Sequence, residues 1–220
     1  MLKIYGVYRS RASRPLWLLA ELGLPFEHVP VIQASRVPDA TSPGAPLNTA
    51  SPAYLEVNPL GQIPCMQEDD LTLTESLAIT LHIARVHGGD IGPRTEAEDA
   101  QMVNWALFAA TALEGPGLEL QMIQRTGGGG DTREGQAGVS LAAERLRRPF
   151  ARLERHLSAQ DWLVGGRFTV ADINTAEVVR YAQSHAPLFE AHPNLSAWLA
   201  RCQSRPAFRT VIERRLAEPE

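Results

Sequence analysis

The sequence NPLGQIP at positions 58–64 decides how the first part of the chain folds. Its second proline, Pro64, opens an apolar run. Because proline has no N–H to give to a strand ladder, Pro64 must stand at a sheet edge or after a special turn. A cis Ile63–Pro64 peptide bond suits this place and costs only about 0.5–1 kcal/mol relative to trans. It would expose the backbone of Ile63 as an unpaired strand edge, to which an extended peptide can add. For this pattern alone, an ordinary proline-rich turn is the alternative.

Strand and helix signals alternate on both sides of this segment. Gly6 ends a short β-type run, and Gly23 ends a stretch with helical spacing. The proline-rich stretch 34–53 predicts irregular structure with one short helix. The predicted elements are strands over 2–5 and 26–31 around a helix over 11–22, then a hairpin of 63–67 and 71–74, and a helix over 75–86. This order is βαβ followed by ββα, with a right-handed crossover in the first unit.

Strand signals stop after a linker at 87–94, and the second half has helical periodicity throughout. The predicted helices cover 95–122, 137–158, 170–184 and 194–216, and the Gly-Pro-Gly at 115–117 should break or kink the first of them. The glycines at 127–130 predict a flexible loop between helices. We therefore expect an α/β domain over 1–87, followed by an all-α domain over 95–220.

Composition excludes several functional classes. The chain has 220 residues and a net charge of −4, which argues against general attraction to nucleic acid. A hydrophobic content of 44% and a charged content of 21% are values of globular proteins. No run approaches the roughly 20 apolar residues of a membrane span, and three arginines among residues 9–14 interrupt any signal peptide. The two cysteines are far apart and the six histidines have no metal-ligand spacing, so we expect no metal site. The low cysteine content is typical of a protein in a reducing cytoplasm.

Two further segments carry candidate chemistry. In Leu73-Thr74-Glu75-Ser76 a strand passes directly into a helix, and the free N–H groups of a helix N-terminus attract carboxylates. Ser76 adds a hydroxyl donor and Glu75 an acceptor for an ammonium group, so together they match an α-amino-acid end. The alternative is a plain capped helix.

The sequence YRSRASR at 8–14 follows the first strand, where ligands tend to bind in βα units. Its alternative is a capping serine beside solvated arginines.

Taken together, these segments resemble the glutathione transferase family. NPLGQIP is similar to its cis-proline segment, and Glu75-Ser76 to its γ-glutamyl site. In the helical half, the sequence from Thr169 to Asp172 matches the family's capping box, and Asn194 to Trp198 resembles one of its closing helices. The resemblance implies a thioredoxin-like N-terminal domain, an all-α C-terminal domain and a homodimer in the cytoplasm.

The resemblance also implies roles for single residues. The loop is most like the serine-type classes (theta, zeta and many bacterial members), in which a serine at the Ser10 position binds the glutathione sulfur. Tyr8 and Ser13 stay open as alternatives for this contact, and Tyr5 lies too early. Arg11 and Arg14 would add positive potential near the sulfur. The remaining predicted contacts of glutathione are Gln62 at the glycyl carboxylate, Ile63 and Pro64 at the cysteinyl backbone, and Glu75 and Ser76 at the γ-glutamyl end.

The electrophile is expected to bind between the domains, beside Trp105 and Phe108, with Ala109 and Ala112 as further candidates. The implied activity is transfer of glutathione to a small hydrophobic electrophile, or glutathione-dependent reduction of it. A glutathione-dependent isomerase or peroxidase and a non-catalytic glutathione-binding module are the alternatives. The absence of cysteine at positions 10–13 argues against a zeta-type isomerase and against disulfide exchange.

Overall fold

A computed structural model describes residues 1–126 and 132–218, so the loop predicted at 127–130 lies outside the described residues. The chain packs as two units, one formed by Met1–Gly88 with Arg205–Glu220 and the other by Gly89–Ser204. The C-terminal segment, which the sequence assigned to the all-α domain of 95–220, therefore packs with the first unit. None of the described helices is long and apolar enough to cross a membrane.

A four-stranded mixed sheet forms the centre of the first unit. Its strands are β1 (Lys3–Tyr5), β2 (Glu27–Val29), β3 (Cys65–Glu68) and β4 (Leu71–Thr74), in the spatial order β2-β1-β3-β4. β1 pairs in parallel with β2 and antiparallel with β3, and β3 and β4 form the predicted hairpin. The predicted βαβ-ββα order is confirmed.

The described helices are, in chain order, α1 (Ser13–Leu22), α2 (Pro52–Leu55), α3 (Ser76–His87), α4 (Glu96–Phe108), α5 (Gly115–Arg125), α6 (Arg133–Leu157), α7 (Val170–Val179), α8 (Ala186–Glu190), α9 (Pro193–Gln203) and α10 (Pro206–Ala217). Short 3₁₀ turns cover Ala34–Arg36, Gly89–Ile91 and Arg180–Ala182. An all-helical second unit is thus confirmed.

Packing on α1 explains why α10 belongs to the first unit. The fully buried ring of Trp17 meets Phe208 of α10 edge-on, with ring centroids 4.9 Å apart. One turn further along α1, the carboxylate of Glu21 accepts two hydrogen bonds, at 2.7 and 2.8 Å, from the guanidinium of Arg205. Such a two-point contact fixes direction as well as distance. Periodicity predicted one helix over 194–216, which the structure divides into α9 and α10, and it did not predict that α10 packs on α1.

The helix predicted over 95–122 is interrupted earlier than expected. The residues Ala109–Glu114 form a π-helical turn between α4 and α5. Pro116 lies one residue inside α5. A proline cannot donate an N–H, and its ring crowds the carbonyl four residues before it, so the preceding turn opens to a wider winding. The Gly-Pro-Gly motif therefore acts on the turn that precedes it.

The predicted capping box at the start of α7 is present. The side chains and backbones of Thr169 and Asp172 satisfy one another reciprocally. Asp172 is fully buried and also accepts hydrogen bonds from the Leu163 N–H at 3.1 Å and from the Trp198 indole at 2.9 Å. Burial raises the pKa of Asp172 to about 6, against the lowering effect of these donors. Its carboxylate therefore ties α7 to α9 and to the segment before α7.

A second carboxylate contact holds the start of α4. The guanidinium of Arg167 donates to both oxygens of Glu98, at 2.9 and 2.7 Å. Gly165 has a φ of +66°, which favours glycine, and a Cβ there would lie 2.1 Å from Nη1 of Arg167, so a side chain at this position would displace the guanidinium from Glu98. The Arg167 guanidinium, with the Arg94 N–H, lowers the pKa of Glu98 from its ordinary value of 4.5 to about 2.

This lowered pKa predicts a pH-dependent effect of the Glu98→Gln substitution. The folded protein holds Glu98 ionised where the unfolded chain would protonate it, so its contribution is present above pH 4.5 and is lost as the pH falls toward 2. We expect Glu98→Gln to lower the free energy of unfolding by roughly 1–2 kcal/mol at pH 7. Urea unfolding at several pH values measures this.

The difference between the Glu98→Gln variant and the unmodified protein should shrink as the pH approaches 3. Glu96→Gln is the matched control, because Glu96 lies exposed on the same turn of α4. A difference between the two proteins that stays constant from pH 7 to pH 3 would show that the ionised form of Glu98 does not stabilise the second unit.

Candidate functional site

Gly6 brings two of the predicted site segments together. It follows β1, has a φ of +137° and donates its N–H to the carbonyl of Val29 at 3.0 Å. A Cβ at this position would lie 2.9 Å from Cβ of Ala12 and 3.3 Å from Cβ of Ile63. The loop between β1 and α1 and the cis-proline segment therefore meet at a point that has no room for a side chain.

The Ser10 hydroxyl is held in place by its own loop. Its Oγ donates to the carbonyl of Val7 at 2.7 Å and accepts the Ala12 N–H at 3.0 Å. A hydroxyl has one hydrogen and two lone pairs, so the contact with Ala12 can persist while the hydrogen turns to another acceptor. Ser10 is only half-buried. The arrangement can present one hydrogen-bond donor to a ligand at a defined place.

The Ile63–Pro64 peptide bond is cis, as the sequence predicted. The backbone before it is clamped at the carbonyl of Gln62, which accepts from the hydroxyl of Tyr54 and from Nδ2 of Asn58 at 2.7 Å. Asn58 is buried, whereas the side chain of Gln62 is exposed. Asn58 therefore fixes the main chain of the segment and leaves the Gln62 side chain accessible.

The strand-to-helix junction at Glu75-Ser76 has a strained backbone. Glu75 has a φ of +64°, a region that non-glycine residues rarely adopt, and strain of this kind concentrates at ligand sites. Its carbonyl accepts the Ile79 N–H, and its side chain is exposed. Ser76 begins α3 with its side chain only 4% exposed. The junction presents an exposed carboxylate beside the free N–H groups of a helix N-terminus.

Arg14 contacts this junction from the protein interior. Its side chain is 1% exposed, and Nη1 donates to Oγ of Ser76 at 2.8 Å. Ser76 remains able to donate its own hydrogen, because the contact with Arg14 uses only a lone pair. The sequence expected Arg14 to supply charge near Ser10. In the structure its guanidinium contacts Ser76 at the N-terminus of α3.

The other candidates for the sulfur contact differ from Ser10 in exposure. Ser13 is buried in the first turn of α1. Tyr8 is also buried, and its hydroxyl accepts from Nη1 of Arg214 at 3.0 Å. The hydroxyl of Tyr5 donates to Gln67 of the neighbouring strand. Arg11 is exposed directly after Ser10. Ser10 is thus the most accessible hydroxyl of the loop.

Comparisons with known proteins identify the family. The family models for the N-terminal and C-terminal domains of glutathione S-transferase match residues 8–86 and 126–206. Glutathione S-transferase 3 of Zea mays is 33% identical over 96% of this chain and 93% of its own length. The chain belongs to the glutathione S-transferase family.

Solved structures of this family match nearly the full length of the chain. Glutathione transferase F7 from Populus trichocarpa has a TM-score of 0.79 and 30% identity, covering 98% of this chain and 99% of its own. A theta-class glutathione S-transferase from Xanthomonas axonopodis, solved with glutathione bound, has a TM-score of 0.72 and 26% identity, covering 96% of both chains. The predicted family and fold class are confirmed.

An apolar cavity of about 360 Å³ opens beside the loop of this transferase, entirely within the first unit. Its walls include Val7, whose carbonyl holds the Ser10 hydroxyl, together with Val37 and Pro38 from the stretch after β2. Arg36 and Glu218 are its charged members. The sequence did not predict this cavity. Most of its lining residues lie in the proline-rich stretch after β2, which has neither helical nor strand periodicity from which its packing could be inferred.

Trp105 and Phe108 lie in the second unit, on α4. Trp105 is buried, and its ring packs edge-on against Phe108 and His156, with centroids 5.6 and 5.1 Å apart. The guanidinium of Arg152 lies 4.2 Å from the Phe108 ring centroid and 4.8 Å from that of Trp105. Such cation–π contacts hold both rings in place. Phe108 is half-buried and therefore keeps some accessible surface.

Both thiols of the protein are protected. Neither Cys65 nor Cys202 forms a disulfide, and both are fully buried. Burial raises the pKa of the Cys65 thiol to about 11. Since only the thiolate is a good nucleophile, Cys65 does not act as one near neutral pH, although it directly follows Pro64. It packs with Val31 and Tyr54 in a small apolar cluster, as the sequence predicted for a strand residue.

Proposed function

We propose that this glutathione transferase binds glutathione along the Ile63–Pro64 edge and activates its thiol at Ser10 for attack on a small hydrophobic electrophile. The accessible hydroxyl of Ser10, fixed by the Ala12 N–H with one hydrogen able to turn, carries the proposal. Gln62, Ile63, Pro64, Glu75 and Ser76 form the proposed glutathione site, and Arg11 adds positive potential. We extend the proposal to a homodimer in the cytoplasm.

Ser10 acts in this proposal as a hydrogen-bond donor to the thiolate and not as a base, because a serine hydroxyl is too weak a base to keep the proton. The thiol proton passes to water. The sulfur then forms a bond to the electrophilic carbon, and for a chlorinated substrate the carbon–chlorine bond breaks and chloride leaves with its electron pair. Proton, charge and leaving group balance without a further reactant.

Ionisation of the thiol accounts for only a small part of the rate. A thiol of pKa about 8.5 is roughly 3% ionised at pH 7, and lowering its pKa by about 2 raises that fraction about 25-fold. With a Brønsted slope of about 0.45 the thiolate becomes about 8-fold less nucleophilic, so the net gain is about threefold. Most of the acceleration must come from holding the sulfur and the electrophile in position.

The cavity lined by Val7, Val37 and Pro38 supports binding of the electrophile beside the sulfur. Its walls are apolar, and Val7 also contacts Ser10, so a hydrophobic ring placed there would lie close to the reacting thiol. Trp105 and Phe108 remain proposed contacts of the electrophile from the second unit. Isomerase or peroxidase activity and a purely binding role are the alternatives. Retention on immobilised glutathione with no turnover of a chlorinated aromatic substrate would favour the binding role.

Replacement of Ser76 by alanine tests the proposed glutathione site. The substitution removes the hydroxyl donor and the acceptor of Arg14 Nη1, so we expect the Kd for glutathione to rise about tenfold. Isothermal titration calorimetry measures this, with Ser140→Ala, an exposed serine of α6, as the matched control. Equal affinity in the Ser76 variant and the control would show that the N-terminus of α3 does not hold the tripeptide.

A further inference from the structure

The C-terminal strap, which we define as residues 214–218, is hydrogen-bonded to the loop that carries Ser10. Arg9 Nε donates to the carbonyl of Arg215 at 2.9 Å, and Arg215 Nη1 donates to the carbonyl of Tyr8 at 3.1 Å. Arg214 Nη1 donates to the Tyr8 hydroxyl at 3.0 Å. These contacts lie within the first unit. They hold the two residues that precede Ser10: Tyr8 through its carbonyl and its hydroxyl, and Arg9 through its guanidinium.

Glu218 makes the contacts of the strap that act directly on the loop backbone. The chain leaves the helical conformation at this residue, with φ −72° and ψ 141°. One carboxylate oxygen accepts the Tyr8 N–H at 2.7 Å and the other accepts the Arg9 N–H at 2.8 Å. Two consecutive N–H groups that converge on one carboxylate form a charge-assisted pair of hydrogen bonds, which is short and directional.

The remaining hydrogen bonds of the loop transmit this position to Ser10. Ser10 donates its N–H and its hydroxyl to the carbonyl of Val7, and its Oγ accepts the Ala12 N–H. These hydrogen bonds join Val7, Ser10 and Ala12 in one short turn, and Glu218 accepts the N–H groups of Tyr8 and Arg9 within it. Fixing Tyr8 and Arg9 therefore fixes the position of the Ser10 Oγ, whose hydrogen stays able to turn to a ligand.

We propose that Glu218 is a positioning residue for the transferase reaction, acting through the Tyr8 and Arg9 N–H groups on Ser10. This inference rests on the proposed role of Ser10. Glu218 touches neither the cis-proline segment nor the Glu75-Ser76 junction in the described hydrogen bonds, so it affects the reaction of bound glutathione and leaves glutathione affinity unchanged. It also lines the apolar cavity, whose other charged residue is Arg36.

The test compares Glu218→Ala, Glu218→Gln and Glu218→Asp. The control is Glu213→Ala, because Glu213 is an exposed glutamate of α10, the helix that ends directly before Glu218. We expect Glu218→Ala to lower kcat with a chlorinated aromatic substrate about tenfold, since small misplacements of a reacting group are costly. Glu218→Asp keeps two acceptor oxygens and should retain more activity than Glu218→Gln, whose amide presents one acceptor and one donor to two N–H groups. Glutathione Kd should match that of the control.

A double-substitution cycle with Ser10→Ala decides how Glu218 acts. If it acts through Ser10, Glu218→Ala has no further effect on kcat in the Ser10→Ala background. Assays are run well below the measured thermal midpoint of every variant, so that loss of folded protein does not contribute. Additive effects of the two substitutions would overturn the inference, as would normal kcat in all three Glu218 variants.

The same cycle separates failure of this inference from failure of the proposed function. A large effect of Ser10→Ala with no effect of Glu218→Ala would refute only the positioning role. Normal turnover in Ser10→Ala would refute the assignment of Ser10 and, with it, the role given to Glu218. A raised glutathione Kd in Glu218→Ala would show that the strap acts on binding and would also overturn the inference.

Discussion

Replacement of Ser10 by alanine is expected to lower kcat with a chlorinated aromatic substrate by about 10- to 100-fold. The alanine removes the proposed donor to the thiolate, whose effect through ionisation is about threefold. It also removes the acceptor of the Ala12 N–H, so the turn from Val7 to Ala12 loses the contact that orients it. Steady-state rates with glutathione and the electrophile both saturating measure kcat.

Glutathione affinity should change little in the Ser10→Ala variant, because the proposed binding contacts are elsewhere. Calorimetry should therefore give a Kd within about twofold of that of the unmodified protein. Tyr8→Phe and Ser13→Ala are the matched controls, since both keep the size of the side chain or nearly so and remove one hydroxyl. Unchanged turnover in Ser10→Ala with a loss in either control would transfer the sulfur contact to that residue.

Replacement of Asp172 by alanine should have the largest effect on stability. Three buried N–H groups, those of Thr169, Leu163 and the Trp198 indole, lose their acceptor. A buried donor without a partner costs about 1–3 kcal/mol, and we expect a total loss of about 3–5 kcal/mol in the free energy of unfolding. In a chain of this size the thermal midpoint should fall by about 10 °C.

Calorimetry or circular dichroism on heating measures the Asp172→Ala effect. Asp172→Asn keeps one acceptor oxygen and should lose less stability than Asp172→Ala. Asp161→Ala is the surface control, because the Asp161 side chain is exposed and its backbone carbonyl still accepts from Arg201. If Asp172→Ala were as stable as the Asp161 variant, the capping box would not be holding α7 and α9 together.

Local signals in the sequence were enough for most of the fold. Strands bounded by glycine and proline predicted β1 and the β3–β4 hairpin, because these residues end a ladder for steric reasons. The motif at 58–64 predicted the cis peptide bond, and the spacing of Thr169 and Asp172 predicted the capping box. The family resemblance, built on these motifs, is confirmed by the comparisons.

The contacts that the sequence did not reveal join residues that are far apart along the chain. Glu218 and Arg9 are 209 residues apart, and no local pattern marks such a pair. Arg14 is one of three arginines between positions 9 and 14, and nothing in the sequence distinguishes it from the other two. Only the fold shows that its guanidinium is buried and donates to Ser76. Helical periodicity likewise predicted a helix over 194–216, but which neighbour its second part, α10, packs against is set by tertiary packing.

The burial of both cysteines protects the protein from the reagents it is proposed to handle. Electrophiles that react with glutathione react with any accessible thiolate, and a protein that concentrates them is exposed to alkylation at its own side chains. Cys202 and Cys65 are both fully buried, and the Cys65 thiol is neutral near pH 7. We therefore expect the thiol of glutathione, and not a cysteine of the protein, to be the sulfur that reacts with the electrophile.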